Sequence, residues 1–245
     1  MTLEGRTALV TGGAHGIGKA VALRLAQGGA DVLVAFRTSR AEAEAVAAAA
    51  RALGRRAQAV QVDAERPADV ERLFAEAAEF GAVDILVNAV GNFLLRAALD
   101  TTPEEWSAVF RSNLDPMFLC SRAALPGMRA RGWGRIINFS AAPAEGAGSA
   151  PGMAGYMAAK TAVLSFTRGL ALEEAAHGIT VNAVSPGIIE TRGAGPKVRA
   201  NPERYVPMGR LGTVDEVAQA VVFLCAEESG YITGANLPVA GGYGL

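Results

Sequence analysis

The amino-acid sequence predicts an α/β fold, a single doubly wound domain over 1–245 with about seven parallel strands and helices on both faces. Three observations point to it. Short apolar runs alternate with amphipathic stretches along the chain. The apolar runs are nearly continuous, as strands covered on both faces must be, and no linker or repeat of roughly 20–50 residues divides them. RTALV (6–10) opens as a strand and passes through a glycine-rich turn into a helix over 17–29. DVLVAF (31–36) precedes an alanine-rich helix over 40–53, whose run at 47–50 reads as solvated helix. AQAVQV (57–62) leads to a helix over 67–79, and VDILVN (83–88) to a long helix over 104–130. RIINFS (135–140) is the fifth strand, followed by a helix over 154–177. ITVNAVSP (179–186) is the sixth, and a helix over 214–226 precedes the short last strand in ANLPVA (235–240). Ligands of such sheets sit at the carboxyl ends of the strands.

Composition narrows the function. With 51% hydrophobic and 19% charged residues in 245, the chain can bury a large core. A net charge of −1 gives no electrostatic footprint for nucleic acid. No run is long and apolar enough for a signal peptide or a membrane span, so a soluble, cytoplasmic protein is expected. Cys120 and Cys225 sit in apolar helical patterns and read as buried thiols. His15 and His177 are the two histidines, too few for a zinc constellation, and no metal is expected.

Two motifs carry chemistry. Thr11-Gly12-Gly13-Ala14-His15-Gly16-Ile17-Gly18 falls where the first strand meets the first helix, the place where first-turn amides and the helix dipole receive a pyrophosphate. Its spacing is not G-x-G-x-x-G, and it lacks the Gly-Lys-Ser/Thr ending of a phosphoryl-transfer loop. Tyr156 and Lys160, four residues apart, share one helix face. A phenol titrates near about 10, and a cation about 5 Å away at an effective dielectric of about 20 is worth roughly 3 kcal/mol, or about two pK units. Lowering of the Tyr156 pKa by Lys160 is therefore expected. Lysine is scarce: Lys19, Lys160 and Lys197 stand against 23 lysines and arginines together, which favours a specific use for the compact ammonium.

TGGAHGIG (11–18), NAVG (88–91), Asn113, the Tyr156/Lys160 pair and SPG (185–187) together resemble the classical short-chain dehydrogenase/reductase family over essentially the whole chain. The ending PMGRLGTVDEVAQAVVFLCAEESGYITGANLPVAGG is similar to that family's, and 3-oxoacyl-acyl-carrier-protein reductases are the nearest kind. The resemblance implies a Rossmann fold, a nicotinamide coenzyme and hydride transfer at a carbonyl carbon. Tyr156 would be the general acid, Lys160 would tune it and hold the nicotinamide ribose, and Asn113 would position a water leading to Lys160. Gly12, Ala14, His15, Gly16, Ile17 and Gly18 would cradle the coenzyme and Ala89 and Gly91 would also contact it, while Asp63 would accept from the adenine amino group and Asn88 would steady the sheet near the adenosine. Pro186, Gly187, Ile189 and Thr191 would line the nicotinamide carboxamide and a phosphate. Phe93, Leu94 and Met153 would surround the substrate under a lid within 188–207.

Coenzyme choice is read at the end of the second strand, where a carboxylate would favour NAD. The strand ends instead Phe36-Arg37-Thr38-Ser39, a guanidinium beside hydroxyls that suits a 2′-phosphate, so NADPH is expected over NAD. The family's substrate-orienting serine is the main departure. Register with Asn138 puts Ala141 at that position, leaving Ser140 as the expected catalytic hydroxyl and Ser149 as an alternative. The expected function is an NADPH-dependent ketone reductase, with 3-oxoacyl thioesters among its candidate substrates. The alternatives are an NAD-linked alcohol or sugar dehydrogenase and a catalytically weak NADPH-binding sensor. Arg96, Arg129 and Arg131 are either cations for an acidic carrier or solvated helix ends. Apolar positions beyond one stripe on the helices over 104–130 and 154–177 suggest assembly, and the family implies a homotetramer or homodimer.

Overall fold

Among the described residues seven segments form the strands β1 (Thr7–Thr11), β2 (Asp31–Phe36), β3 (Ala57–Gln61), β4 (Ile85–Asn88), β5 (Gly134–Phe139), β6 (Ile179–Pro186) and β7 (Asn236–Val239). The computed structural model describes residues 2–146, 148–191 and 194–244. Every pairing is parallel, in the order β3-β2-β1-β4-β5-β6-β7. The chain leaves β1 toward one edge and, after β3, crosses to β4 on the other side. That reversal opens a crevice at the carboxyl ends of β1 and β4.

The described residues form seven helices: α1 (Gly16–Gln27), α2 (Arg40–Ala52), α3 (Pro67–Phe80), α4 (Pro103–Arg131), α5 (Ala154–Glu174), α6 (Pro196–Ala200) and α7 (Val214–Cys225). On one face Leu25, Val46 and Val221 pack against Val10, Val34 and Ile137. On the other, Leu73, Met128 and Leu170 pack against Leu9, Leu33 and Ile136. Truncating one of these fully buried leucines to alanine costs about 2–5 kcal/mol. Thr102 and Glu105 start α4 with a capping box, and Thr213 and Glu216 do the same for α7. Cys120 and Cys225 are free and buried. Among the described residues no helix is long and apolar enough to cross a membrane.

The structure departs from the sequence reading in places. Ala47 and Ala50 are fully buried, because the alanine run turns a small-residue face, with Ala43 and Val46, onto the sheet. β4 starts at Ile85, since the Asp84 carboxylate accepts from the Thr7 amide (3.1 Å) and from Arg131 Nε (3.2 Å). Helix α5 ends at Glu174, with a tighter turn over Ala175–His177 capped by Gly178 in the left-handed region. The expected lid contains the short α6, and its Arg192 and Gly193 lie outside the described residues.

Candidate active site

The glycine-rich turn leaves β1 and enters α1 at the crevice. His15 is the N-cap in an extended conformation, its side chain caps no amide, and the first turn holds no acidic residue. The first-turn amides thus stay free for an anion. Gly16 has φ +49 and a Cβ there would meet nothing within 4 Å, so the backbone faces open space in the cleft. At Gly18 a Cβ would collide with the Gly12 carbonyl, which is why the turn and helix need glycine to close on each other. Thr11, Gly12, Ala14 and His15 line a cavity of about 330 Å³ with Arg37, Thr38, Asp63, Asn92 and Ser112. Arg37 is exposed, and its Nη1 lies 3.8 Å from Glu65 Oε1. Asp63 holds the loop after β3, its Oδ1 accepting from the Glu65 amide at 3.2 Å.

A buried polar row ties this cleft to α5. Asn88 and Asn138 are paired in register on β4 and β5. Asn88 Nδ2 donates to Asn138 Oδ1 (2.9 Å) and Ser121 Oγ (3.2 Å), while Asn138 Nδ2 donates to Thr167 Oγ1 (2.9 Å) on α5. Ala89 stays fixed beside it, its amide donating to Thr11 Oγ1 at 3.1 Å. Breaking such a row leaves buried donors unpaired at about 1–3 kcal/mol each.

Lys160 is 6% exposed, and its Nζ donates to the Phe139 carbonyl oxygen at 2.8 Å, at the end of β5. The same ammonium lies 5.7 Å from the centroid of the Tyr156 ring. Asn113 Nδ2 donates to Val109 O (2.8 Å) and Asn92 O (3.0 Å), leaving its Oδ1 buried without a partner. Asn113 Oδ1 and Lys160 Nζ both lie within 3.5 Å of the point that a Cβ on Gly91 would occupy. That glycine keeps open the space between them. Asn88 Oδ1 is also buried and unpartnered. Free helix amides, an open glycine cradle and orphaned acceptors on the crevice side fit a dinucleotide.

The expected acidification of Tyr156 is not found. Burial pushes its phenol up to about 12 and pushes the Lys160 ammonium down to about 8. Both shifts have one cause, the loss of water around the charged form, and it outweighs the attraction across the pair. Tyr156 is therefore a neutral phenol at physiological pH, and Lys160 is the group that titrates near it.

The carbonyl side is less furnished. Ser140 extends the β5–β6 pairing, its amide donating to Val184 O (3.0 Å), and its hydroxyl donates to the Lys160 carbonyl oxygen (2.8 Å) in the protein interior. Ala141 belongs to an apolar cluster with Met157, Leu164 and Ala183, against which Met153 and Tyr156 pack. Ser149 is exposed and donates to Ala150 O at 3.5 Å. Phe93 meets the Tyr156 ring edge-on at 4.9 Å and is 56% exposed, with Leu94 half-buried beside it in the chain. Pro186 ends β6, and Gly187 lies so close to Ala240 that a Cβ would come within 2.7 Å of its Cα. Ile189 is buried, and Thr191 O accepts from Arg199. The sequence reading missed the Phe139 carbonyl and the Asn138–Thr167 link. Asn138, opposite Asn88 in a parallel register, was the available signal for the link.

The profile of a family described as enoyl-(acyl carrier protein) reductase matches residues 12–244. The chain belongs to the short-chain dehydrogenase/reductase family. It is 42% identical to the 3-oxoacyl-[acyl-carrier-protein] reductase FabG of Vibrio cholerae, across 99% of this chain and 98% of that protein. It is 40% identical to the acetoacetyl-CoA reductase of Allochromatium vinosum, across 97% and 98%. A short-chain dehydrogenase of Burkholderia cenocepacia, solved in complex with NADP, superposes with a TM-score of 0.89 at 38% identity, across 99% of both chains. As a short-chain dehydrogenase/reductase, the chain is a nicotinamide-dependent oxidoreductase acting between CH–OH and C=O.

Proposed function

We propose that this protein is an NADPH-dependent ketone reductase, with 3-oxoacyl thioesters as the leading substrate class. The observation that carries the reading is the Tyr156/Lys160 pair at the crevice, with Lys160 anchored on Phe139 O. The relatives' names support the substrate class, and the NADP complex of the Burkholderia protein supports the coenzyme. A dihydronicotinamide held in the cleft would supply the hydride for the carbonyl carbon. Tyr156, neutral because burial holds its pKa near 12, carries the proton that the carbonyl oxygen takes. Lys160, charged below about 8, stabilises the phenolate left behind. The free Asn113 Oδ1 accepts from a water that returns the proton through Lys160. Gly12, Ala14, His15, Gly16, Ile17 and Gly18 would hold the pyrophosphate, Asp63 and Asn88 the adenosine side with Ala89 beside them, Gly91 the space next to Lys160, and Pro186, Gly187, Ile189 and Thr191 the nicotinamide side. Phe93, Leu94 and Met153 present an apolar surface to the substrate, with 188–207 as its lid. Arg37 and Thr38 read the 2′-phosphate.

Ser140 is not assigned the role of carbonyl donor, since its hydroxyl hydrogen is directed at the α5 backbone. With Ala141 in the apolar cluster, Tyr156 is left as the principal donor, and this observation favours the second reading, a slow enzyme that reports NADPH. Arg129 is bound to Glu174 (2.6 Å) and Arg131 to Asp84 (3.2 Å), which leaves neither a free cation for an acidic carrier. We place the protein in the cytoplasm as a homo-oligomer joined through α4 and α5, where Phe118 and Leu172 are exposed. The test is a carbonyl panel that includes acetoacetyl-CoA, run with NADPH and NADH. Turnover faster with NADPH is expected; turnover only with NADH would move the protein to the NAD-linked dehydrogenases.

A further inference from the structure

The residues that read the 2′-substituent share the cleft with a carboxylate of the protein itself. Glu65, on the loop between β3 and α3, lies between two guanidiniums, with Oε1 3.8 Å from Arg37 Nη1 and Oε2 3.4 Å from Arg111 Nε. Both contacts exceed the roughly 2.7–2.9 Å of a charge-assisted hydrogen bond. The carboxylate is held by two loose attractions, and its side chain is 22% exposed and lines the same cavity as Arg37, Thr38 and Ser39. Arg37 is itself 59% exposed and forms an ion pair with Glu65. A phosphate monoester arriving at Arg37 would compete with Glu65 for the guanidinium and stand close to a like charge. A ribose hydroxyl meets neither obstacle.

We infer that Glu65 is a specificity-determining residue that acts through Arg37, an internal rival of the coenzyme 2′-phosphate, and that Arg111 moderates it by drawing the carboxylate away. The inference rests on the NADPH reading above. Glu65 lowers the discrimination between NADP and NAD below what Arg37 could give, and Arg111 restores part of it. The two substitutions should therefore act in opposite directions. A residue that only shaped the loop would alter binding of both coenzymes alike.

The experiment is calorimetric titration of the intact protein with NADP⁺ and with NAD⁺, which reads binding without turnover, with thermal melting to confirm folding. Glu65→Gln should tighten NADP⁺ about fivefold and leave NAD⁺ within about twofold, the scale expected for one partly exposed pair. Arg111→Ala should weaken NADP⁺ about two- to fivefold, and 0.5 M salt should shrink both effects. In an Arg37→Ala background the Glu65→Gln gain should vanish. Weaker NADP⁺ binding in Glu65→Gln, equal changes for both coenzymes, or a gain that survives in Arg37→Ala would each overturn the inference. An Arg37→Ala single variant with an unchanged NADP⁺/NAD⁺ ratio would instead remove the phosphate reading on which it stands.

Discussion

The two halves of the cleft are built to different standards. On the coenzyme side, Gly12, His15, Arg37 and Asp63 line one cavity at an uncapped helix start with an open glycine at 16, and Asn88 and Asn113 carry buried acceptors without partners at the strand ends nearby. On the carbonyl side, the position expected to orient the substrate is Ala141, the nearest hydroxyl is turned onto α5, and the surroundings are apolar. Polar groups are thus more numerous on the proposed coenzyme side than on the proposed carbonyl side. The nucleotide half needs many weak contacts from many elements, whereas the reacting half needs a few groups held at hydrogen-bond reach. Loss of one hydroxyl is therefore felt in rate before affinity.

Lys160→Met should have the largest effect, because it strikes both halves. Turnover should fall about a thousandfold or more, the scale of lost acid catalysis and charge stabilisation together. Stability should move the other way. The folded pKa of Lys160 lies at about 8 against the ordinary 10.5, so the folded protein carries the cost of its charge fully below about pH 8. That cost is relieved as pH rises toward 10.5, and removing the ammonium should add about 1–3 kcal/mol at neutral pH, seen as a higher melting temperature. A destabilised variant would mean that the bond to Phe139 O outweighs desolvation.

Arg37→Ala sharpens the contrast from the coenzyme half. A loss of about ten- to a hundredfold in NADPH preference is expected, with kcat for bound NADPH little changed. Ala141→Ser addresses the other half. A second donor at that position should raise kcat about tenfold and leave the NADPH Kd unchanged. An unaltered kcat would show that the carbonyl side is already complete with Tyr156 alone. The smallest effect is with pH: the rate of reduction should fall as pH rises through about 8, where Lys160 loses its charge. A profile flat from about pH 6 to 9 would take Lys160 out of the proton path.

Much of this was legible in the sequence, for physical reasons that differ by element. The strands announced themselves because burial on both faces makes most of them nearly continuous apolar runs, and the glycine turn because only glycine lets α1 close onto Gly12. The family, fold and nicotinamide chemistry followed from the residues at 11–18, 88–91, 113, 156 and 160. Hidden were effects set by three-dimensional surroundings. Tyr156 and Lys160 suggested attraction by their spacing, yet burial moved both pKa values toward the neutral forms. Arg129 and Arg131 could be read from the sequence either as cations for a carrier or as solvated helix ends, and their partners Glu174 and Asp84 lie far away in the chain. The direction of the Ser140 hydroxyl depended on how β5 continues toward residue 141, which alternation posed but could not decide alone.

The most direct measurement is single-turnover reduction of a 3-oxoacyl thioester by Tyr156→Phe beside the parent protein, with the NADPH Kd determined for each. A rate about a thousandfold lower at an unchanged Kd is expected if the phenol hands its proton to the substrate oxygen. A comparable rate in the phenylalanine variant would contradict it.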